Sequence, residues 1–282
     1  MQNLVLFTSN DLKSCVNTRK GETKFGEHVQ LINNLTNIYD NILELDVDYV
    51  IFGISEDIGV IANHGKSGTY KAWDATIKIL LNTQSNAYIN PKRILILGHL
   101  DYSKLLESLK DEKLSTKKRI ALARKHTEDV DADVSYLVFS IIKAGKTPIV
   151  IGGGHNNAYG NIKGSSLALK HPINVVNFDA HHDFRPEEGR HSGNGFSYAY
   201  NEGFLKNYFK FLLSHLMTFF LAFAFFIPQM RSHRQSILVA SVPLHITKAK
   251  TLKLKTFTLP LRTIACFLVP SLRIFLSSSR SF

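Results

Sequence analysis

Four short apolar runs punctuate the first two thirds of the chain. Asp48–Ile54, Arg93–Gly98, Thr147–Gly152 and Ile173–Phe178 each have the length of a buried strand, and three of them run up to or through a glycine. Between the second and third, Leu114–Ala144 is rich in Lys, Glu, Ala and Leu. Val134, Leu137, Val138, Ile141 and Ile142 recur there at spacings of three and four, which predicts a helix with one face on a core. Strands with near-continuous apolar interiors, alternating with helical stretches, predict an α/β fold around a mostly parallel sheet. Ligands in such sheets gather at the carboxyl ends of the strands. The short Gly-, Ser- and Asn-rich passages follow strands directly, so they read as functional loops rather than linkers. No internal repeat is evident, and no domain boundary precedes residue 203.

The charge is divided unevenly. All 23 acidic residues lie at or before Glu202, whereas the last 80 residues hold 11 Lys+Arg and no Asp or Glu. Subtracting those 11 from the total of 34 leaves 23 basic against 23 acidic groups in the body, so the net charge of +11 belongs to the tail. A neutral body removes the main argument for nucleic-acid binding, which needs basic residues set on a folded face. Two cysteines far apart, Cys15 and Cys266, offer neither a CxxC zinc pattern nor a disulfide framework. That suits a reducing, cytoplasmic setting. The opening residues lack a basic n-region, and their apolar run is short for an export signal.

The chemistry concentrates at two strand ends. Asp179-Ala-His181-His-Asp183 follows one strand, and in an extended chain residues i, i+2 and i+4 project to the same side. Two carboxylates and an imidazole then converge, an arrangement that repels itself unless a divalent cation sits among them. Mixed Asp/His ligands without thiolate suit Mn²⁺, Fe²⁺, Zn²⁺ or Co²⁺. Gly152-Gly-Gly-His155 ends another strand and offers a further imidazole on a glycine turn. Alone, the first motif also describes a polar loop with paired charges. The second also describes a strand-to-helix turn or a phosphate cradle, without the Lys-Ser/Thr of a P-loop. Both together, about 25 residues apart at the ends of parallel strands, favour a metal site.

These two motifs resemble the first two metal signatures of the ureohydrolase superfamily, which contains arginase, agmatinase and formimidoylglutamase. Gly53-Ile-Ser-Glu-Asp-Ile-Gly59, Asn63-His-Gly-Lys-Ser-Gly68 and Arg190-His-Ser-Gly-Asn-Gly-Phe-Ser-Tyr-Ala199 are most similar to its formimidoylglutamase-like branch. The resemblance covers residues 1–210 and implies a three-layer α/β/α sandwich. It further implies hydrolysis of a carbon–nitrogen bond in a small amidine substrate by a hydroxide shared between two Mn²⁺ ions, in a homo-oligomer. Carried over by residue, His155 and Asp183 would hold one ion, His181 the other, and Asp179 would bridge. Ala180 and His182 would point into the fold. Arg185, Arg190, Ser192 and Asn194 would line the substrate loop. A guanidinium there suits a substrate carboxylate, as in N-formimino-L-glutamate. The plainer alternative pairs Arg185 and Arg190 with Glu187 and Glu188 on the surface. Phe196 stands where arginases usually carry a histidine.

The resemblance then breaks. The family's third signature, a Ser-x-Asp-x-Asp-x-x-Asp-Pro run, cannot occur beyond Glu202, and a later substrate-contacting glutamate is missing for the same reason. Four ligands of six, with two carboxylates, would offset the charge of two ions only partly, so weak binding or a single ion and impaired activity are expected. At the body's acidic frequency about nine acidic residues would fall in 80, and drawing none has odds below roughly one in a thousand. Twelve of the 19 phenylalanines also lie there. Three readings of residues 211–282 stand open: a shifted reading frame, a membrane anchor at Phe211–Ile227 flanked by basic residues, or a genuine tail on a pseudoenzyme. A domain missing its later strands would expose apolar surface and be poorly soluble.

Resequencing codons 200–282 and translating all forward frames tests the first reading. The expected result is a second frame carrying Ser-x-Asp-x-Asp beyond about codon 210, with an ordinary acidic and basic mixture after it. Confirmation of the given frame with no such alternative makes the missing ligands genuine.

Overall fold

In the computed structural model, which describes residues 1–211, 239–241 and 267–268, all four apolar runs are strands. The chain order is β1 (Leu4–Leu6), α1 (Ser9–Cys15), α2 (Ile38–Leu43), β2 (Tyr49–Ser55), α3 (Ile58–Ala62), α4 (Ala72–Leu81), β3 (Ile94–Asp101) and α5 (Ser103–Ser108). It continues through α6 (Thr116–Lys143), β4 (Thr147–Ile151), α7 (Asn157–Leu169), β5 (Ile173–Phe178), α8 (Gly195–Asn201), β6 (Leu205–Phe211), β7 (Val239–Ser241) and β8 (Phe267–Leu268). One eight-stranded sheet runs β1-β3-β2-β4-β8-β7-β5-β6. Every pairing is parallel except that of β1 with β3, where Leu4 stands opposite Leu100.

Alternation along the central strands divides the core into two layers. Val50, Phe52 and Ile54 of β2 and Leu95 and Leu97 of β3 join one cluster with Val130, Val134, Leu137 and Ile141 of α6. Ile51 of β2 and Ile94 and Ile96 of β3 join another with Trp73, Ile77 and Leu81 of α4. Successive side chains of a strand point to opposite faces, so helices cover both sides of the sheet. This is the three-layer α/β/α arrangement expected from the sequence. The long helix predicted over Leu114–Ala144 is α6, capped by the Ser115 hydroxyl, which accepts from the Lys118 N–H.

The apolar pattern does not reveal α7. Asn157, Asn161, Ser165 and Ser166 are as buried as its Ala158 and Ile162, so the helix has no polar face to mark its period. It lies so close to α6 that a methyl group on Gly164 would stand 2.9 Å from Val138 Cβ and also press on the Ser135 carbonyl.

Beyond Phe211, the described residues form β7 and β8, which lie between β4 and β5. The segment Phe211–Ile227, considered above as an anchor, falls outside the described residues from 212 onward, as does Cys266. Among the described residues no helix is long and apolar enough to cross a membrane.

Gly164→Ala tests the helix contact. Helix propensity alone favours alanine by about 1 kcal/mol, but overpacking against a backbone carbonyl costs about 1–3 kcal/mol. A lower melting temperature is therefore expected by calorimetry, and a higher one would show that α6 yields easily.

Candidate metal centre

β4 ends at Ile151, and the chain turns through Gly152 and Gly153 at φ of 84° and 74°. Side chains other than glycine rarely enter that region, so the GGGH motif is first a backbone device that reverses the strand into α7. His155 lies on this turn. Its imidazole meets the edge of the fully buried Phe196 ring, with centroids 5.4 Å apart.

β5 ends at Phe178, and beyond it the chain is not extended. The Asp179 carboxylate accepts from the His181 N–H at 2.9 Å, and Asp183 adopts a left-handed φ of 48°. The i, i+2, i+4 alternation expected for this segment therefore fails at its centre. Ligand atoms of His155, Asp179 and Asp183 lie within 4.8 Å of one another, and His181 is not in that group. His155 Nδ1 hydrogen-bonds Asp183 Oδ2 and stands 3.1 Å from Asp179 Oδ2. His181 is 75% exposed, with its Nδ1 3.6 Å from the other Asp179 oxygen, Oδ1. The two oxygens of Asp179 thus face two different imidazoles. Ala180 and His182, expected to point inward, are exposed instead. Their carbonyls accept from Lys210 Nζ at 3.0 Å and from the Tyr208 hydroxyl at 2.8 Å, which ties the loop to β6.

Burial alone would strip the proton from His155, but the two carboxylates outweigh it and hold its pKa up to about 9. The positive charge required between Asp179 and Asp183 is therefore a proton here, and a divalent cation is its chemical alternative. The donors fit such an ion: one imidazole and two carboxylates, without thiolate, converge on one point. The other ring nitrogen, Nε2, is buried with no hydrogen-bond partner among the described residues.

The expected substrate loop divides into two. Arg185 is half-exposed and bonds Asn63 Oδ1 and, at 2.9 Å, Glu188 Oε1. Ser192 accepts from Asn63 Nδ2 at 3.1 Å. Arg185 and Ser192 thus share Asn63 as a partner. Arg190 and Asn194 do not. Arg190 is 3% exposed and makes a two-pronged pair with Asp131 of α6, at 2.7 and 3.2 Å. It also donates to Asn194 Oδ1 at 2.6 Å and to the Asn156 carbonyl at 3.1 Å, and its guanidinium lies between the Tyr159 and Tyr198 rings. The guanidinium is held by Asp131, Asn194 and Asn156 rather than by Glu187 or Glu188. Asn194, fully buried, spends its amide nitrogen on the Pro186 and Gly189 carbonyls.

Three residues of this network were not singled out from sequence. Asp131 had a visible signal: it interrupts the apolar face of α6 between Val130 and Val134. His191, fully buried, accepts from the Gly193 N–H on Nδ1 and faces Glu188 through Nε2. Burial, reinforced by Arg185, pushes its pKa down to about 4. The third is Glu56, whose buried carboxylate accepts from the Gly154 N–H at 2.7 Å.

Arg190→Met separates structural from substrate-binding roles. Breaking one side of a buried pair typically costs about 3–5 kcal/mol, so a large loss in urea unfolding is expected. Adding Asp131→Leu should recover part of it, giving a double mutant less destabilised than the sum of the singles.

Comparison with known proteins extends the picture. A formimidoylglutamase of Streptococcus gordonii is 29% identical over 160 residues, which is 55% of this chain and 42% of that protein. One from Chromobacterium violaceum is 48% identical over 63 residues, covering 21% of this chain and 20% of its own. A crystal structure of Trypanosoma cruzi formiminoglutamase with Mn²⁺ aligns at a TM-score of 0.49 and 23% identity, over 67% of this chain and 57% of that one. The chain thus spans less than half the length of these curated relatives. The sequence profile of the Arginase family matches residues 48–214, more than half of the 282 residues, and the chain belongs to that family.

Proposed function

We propose that this protein is a metal-dependent hydrolase of linear amidines, of formimidoylglutamase type, with N-formimino-L-glutamate as substrate and Mn²⁺ as its metal. The observation that carries the reading is the convergence of His155 Nδ1 with the Asp179 and Asp183 carboxylates. The formimidoylglutamases among its relatives support the substrate class. His155 and Asp183 would hold one ion, and Asp179 would reach a second through the oxygen that faces His181. When bound, such cations supply Lewis acidity and acidify water to near-neutral pKa.

The protein's own residues supply the remainder. Hydrolysis adds the oxygen of water to the amidine carbon and breaks its bond to the glutamate nitrogen, giving glutamate and formamide. Arg185 would orient the substrate by exchanging Glu188 for a substrate carboxylate. That exchange costs little, because the existing pair is largely exposed. Phe184 and Phe196, stacked with centroids 6.2 Å apart, form an apolar patch that reaches His155 through Phe196. The product fits a step of histidine breakdown in the cytoplasm.

The same reading holds that the centre is short of ligands. No Asp or Glu follows Glu202, so nothing in the tail can complete a carboxylate set. Residues 1–210 then form an incomplete arginase-like domain, and residues 211–282 a basic, Phe-rich addition. The family match ending at residue 214 supports that division.

The full chain, incubated with Mn²⁺ and N-formimino-L-glutamate, arginine or agmatine in turn, tests the proposal. Formamide release that depends on Mn²⁺ is expected, at least ~100-fold slower than in an intact relative assayed alongside, as follows from missing ligands. Urea from arginine or agmatine would move the assignment to a ureohydrolase. Membrane retention without any turnover would favour a non-catalytic binding protein.

A further inference from the structure

Glu56 follows β2 directly and is completely buried. The groups that favour its charged form are all uncharged donors rather than a cation. Its Oε1 accepts from the Gly154 N–H and the Asn157 side-chain amide, each at 2.7 Å, and from Asn156 Nδ2 at 3.3 Å. Oε2 accepts from the Gly59 N–H, at the start of α3, at 3.2 Å. Oε1 thus meets three donors and Oε2 one, all of them N–H groups.

The placement of those donors is specific. Gly154 precedes His155, while Asn156 and Asn157 follow it, so the residues on both sides of the imidazole are tied to one side chain. Glycine is needed at 153, where φ is 74° and a Cβ would collide with the Asn157 side-chain amide and stand 3.0 Å from Glu56 Oε1. Asn157, itself bonded to Glu56, reinforces the clamp by donating to the Gly154 carbonyl at 2.9 Å.

Resting on the metal reading above, we propose that Glu56 is the positioning residue of the metal centre: it clamps the turn around His155 and thereby aims Nδ1 at Asp179 and Asp183. It touches neither substrate nor metal and acts through the imidazole. Glutamine has the same shape but would turn an NH₂ toward N–H donors, losing some of the four bonds and opposing others. Groups that orient a metal ligand typically carry 10–100-fold in metal affinity.

The test measures Mn²⁺ affinity by electron paramagnetic resonance, and the His155 ring nitrogens by ¹⁵N NMR without metal, in the full-length chain. Glu56→Gln is expected to weaken Mn²⁺ binding 10–100-fold and to move the His155 Nδ1 resonance. Val138→Ala, in the core beneath α7 and remote from the turn, controls for lost stability. It should lower the melting temperature yet leave both readouts in place. Should Glu56→Gln fail to fold, Asn157→Ala, which removes one of the donors to Glu56 together with the side-chain bond to the Gly154 carbonyl, carries the test with a loss of at least roughly threefold. Unchanged Mn²⁺ affinity, or a loss that Val138→Ala reproduces, overturns the assignment. If the parent chain binds no Mn²⁺, the metal reading fails, and the NMR signal alone decides for Glu56. A Nδ1 resonance displaced by Glu56→Gln and not by Val138→Ala sustains the clamp; one that stays put overturns it.

Discussion

Two carboxylates cannot be held close together at the end of a sheet without a positive charge between them. At the separation of Asp179 and Asp183, with ligand atoms within 4.8 Å, mutual repulsion is about 3–4 kcal/mol at the effective dielectric of a protein surface. His155 answers it. Its buried imidazole keeps a proton to about pH 9 because both carboxylates face Nδ1. The same electrostatic demand makes the spot attractive to a divalent cation, and the rest of the site consists of devices that keep the three groups facing one another.

Those devices are needed because the two halves of the centre come from strands that are not neighbours. β4 and β5 are separated in the sheet by β8 and β7, three spacings or about 14 Å at the usual strand separation. His155 and Asp183 meet only because the turns beyond the strands lean toward each other. Each turn has its own buried anchor. The Glu56 carboxylate, pushed up by burial and held in check by its N–H donors, secures the first. Asp131 and Arg190 secure the following loop against α6, and the rings of Tyr159 and Tyr198 lie against the guanidinium. Desolvating such groups is expensive, so they contribute less to net stability than to fixing a single arrangement of the loops.

Much of the frame was legible in the chain. The apolar runs at 48–54, 93–98, 147–152 and 173–178 marked β2 to β5, and the three-and-four spacing in 114–144 marked α6, because backbone periodicity imposes those patterns locally. The signal failed where burial was uniform, as in α7, whose Asn and Ser residues are as enclosed as its apolar ones. It failed again beyond β5. A side-chain acceptor at Asp179 bends the chain, so that the even spacing of His181 no longer places it with its neighbours.

Sequence by itself determined which chemistry is available: the imidazole on its glycine turn, the paired aspartates, the arginines after them, and the confinement of all acidic residues to the first 202 positions. Tertiary structure alone decided how these groups are used. It placed His155 between Asp179 and Asp183, left His181 at the rim, and gave Arg190 to Asp131, 59 positions away. It also put Glu56 against Gly154, 98 positions distant. Residue type and local spacing are written along the chain, whereas a contact between side chains far apart in sequence depends on strand order and loop direction, which only the packing of the whole fold sets.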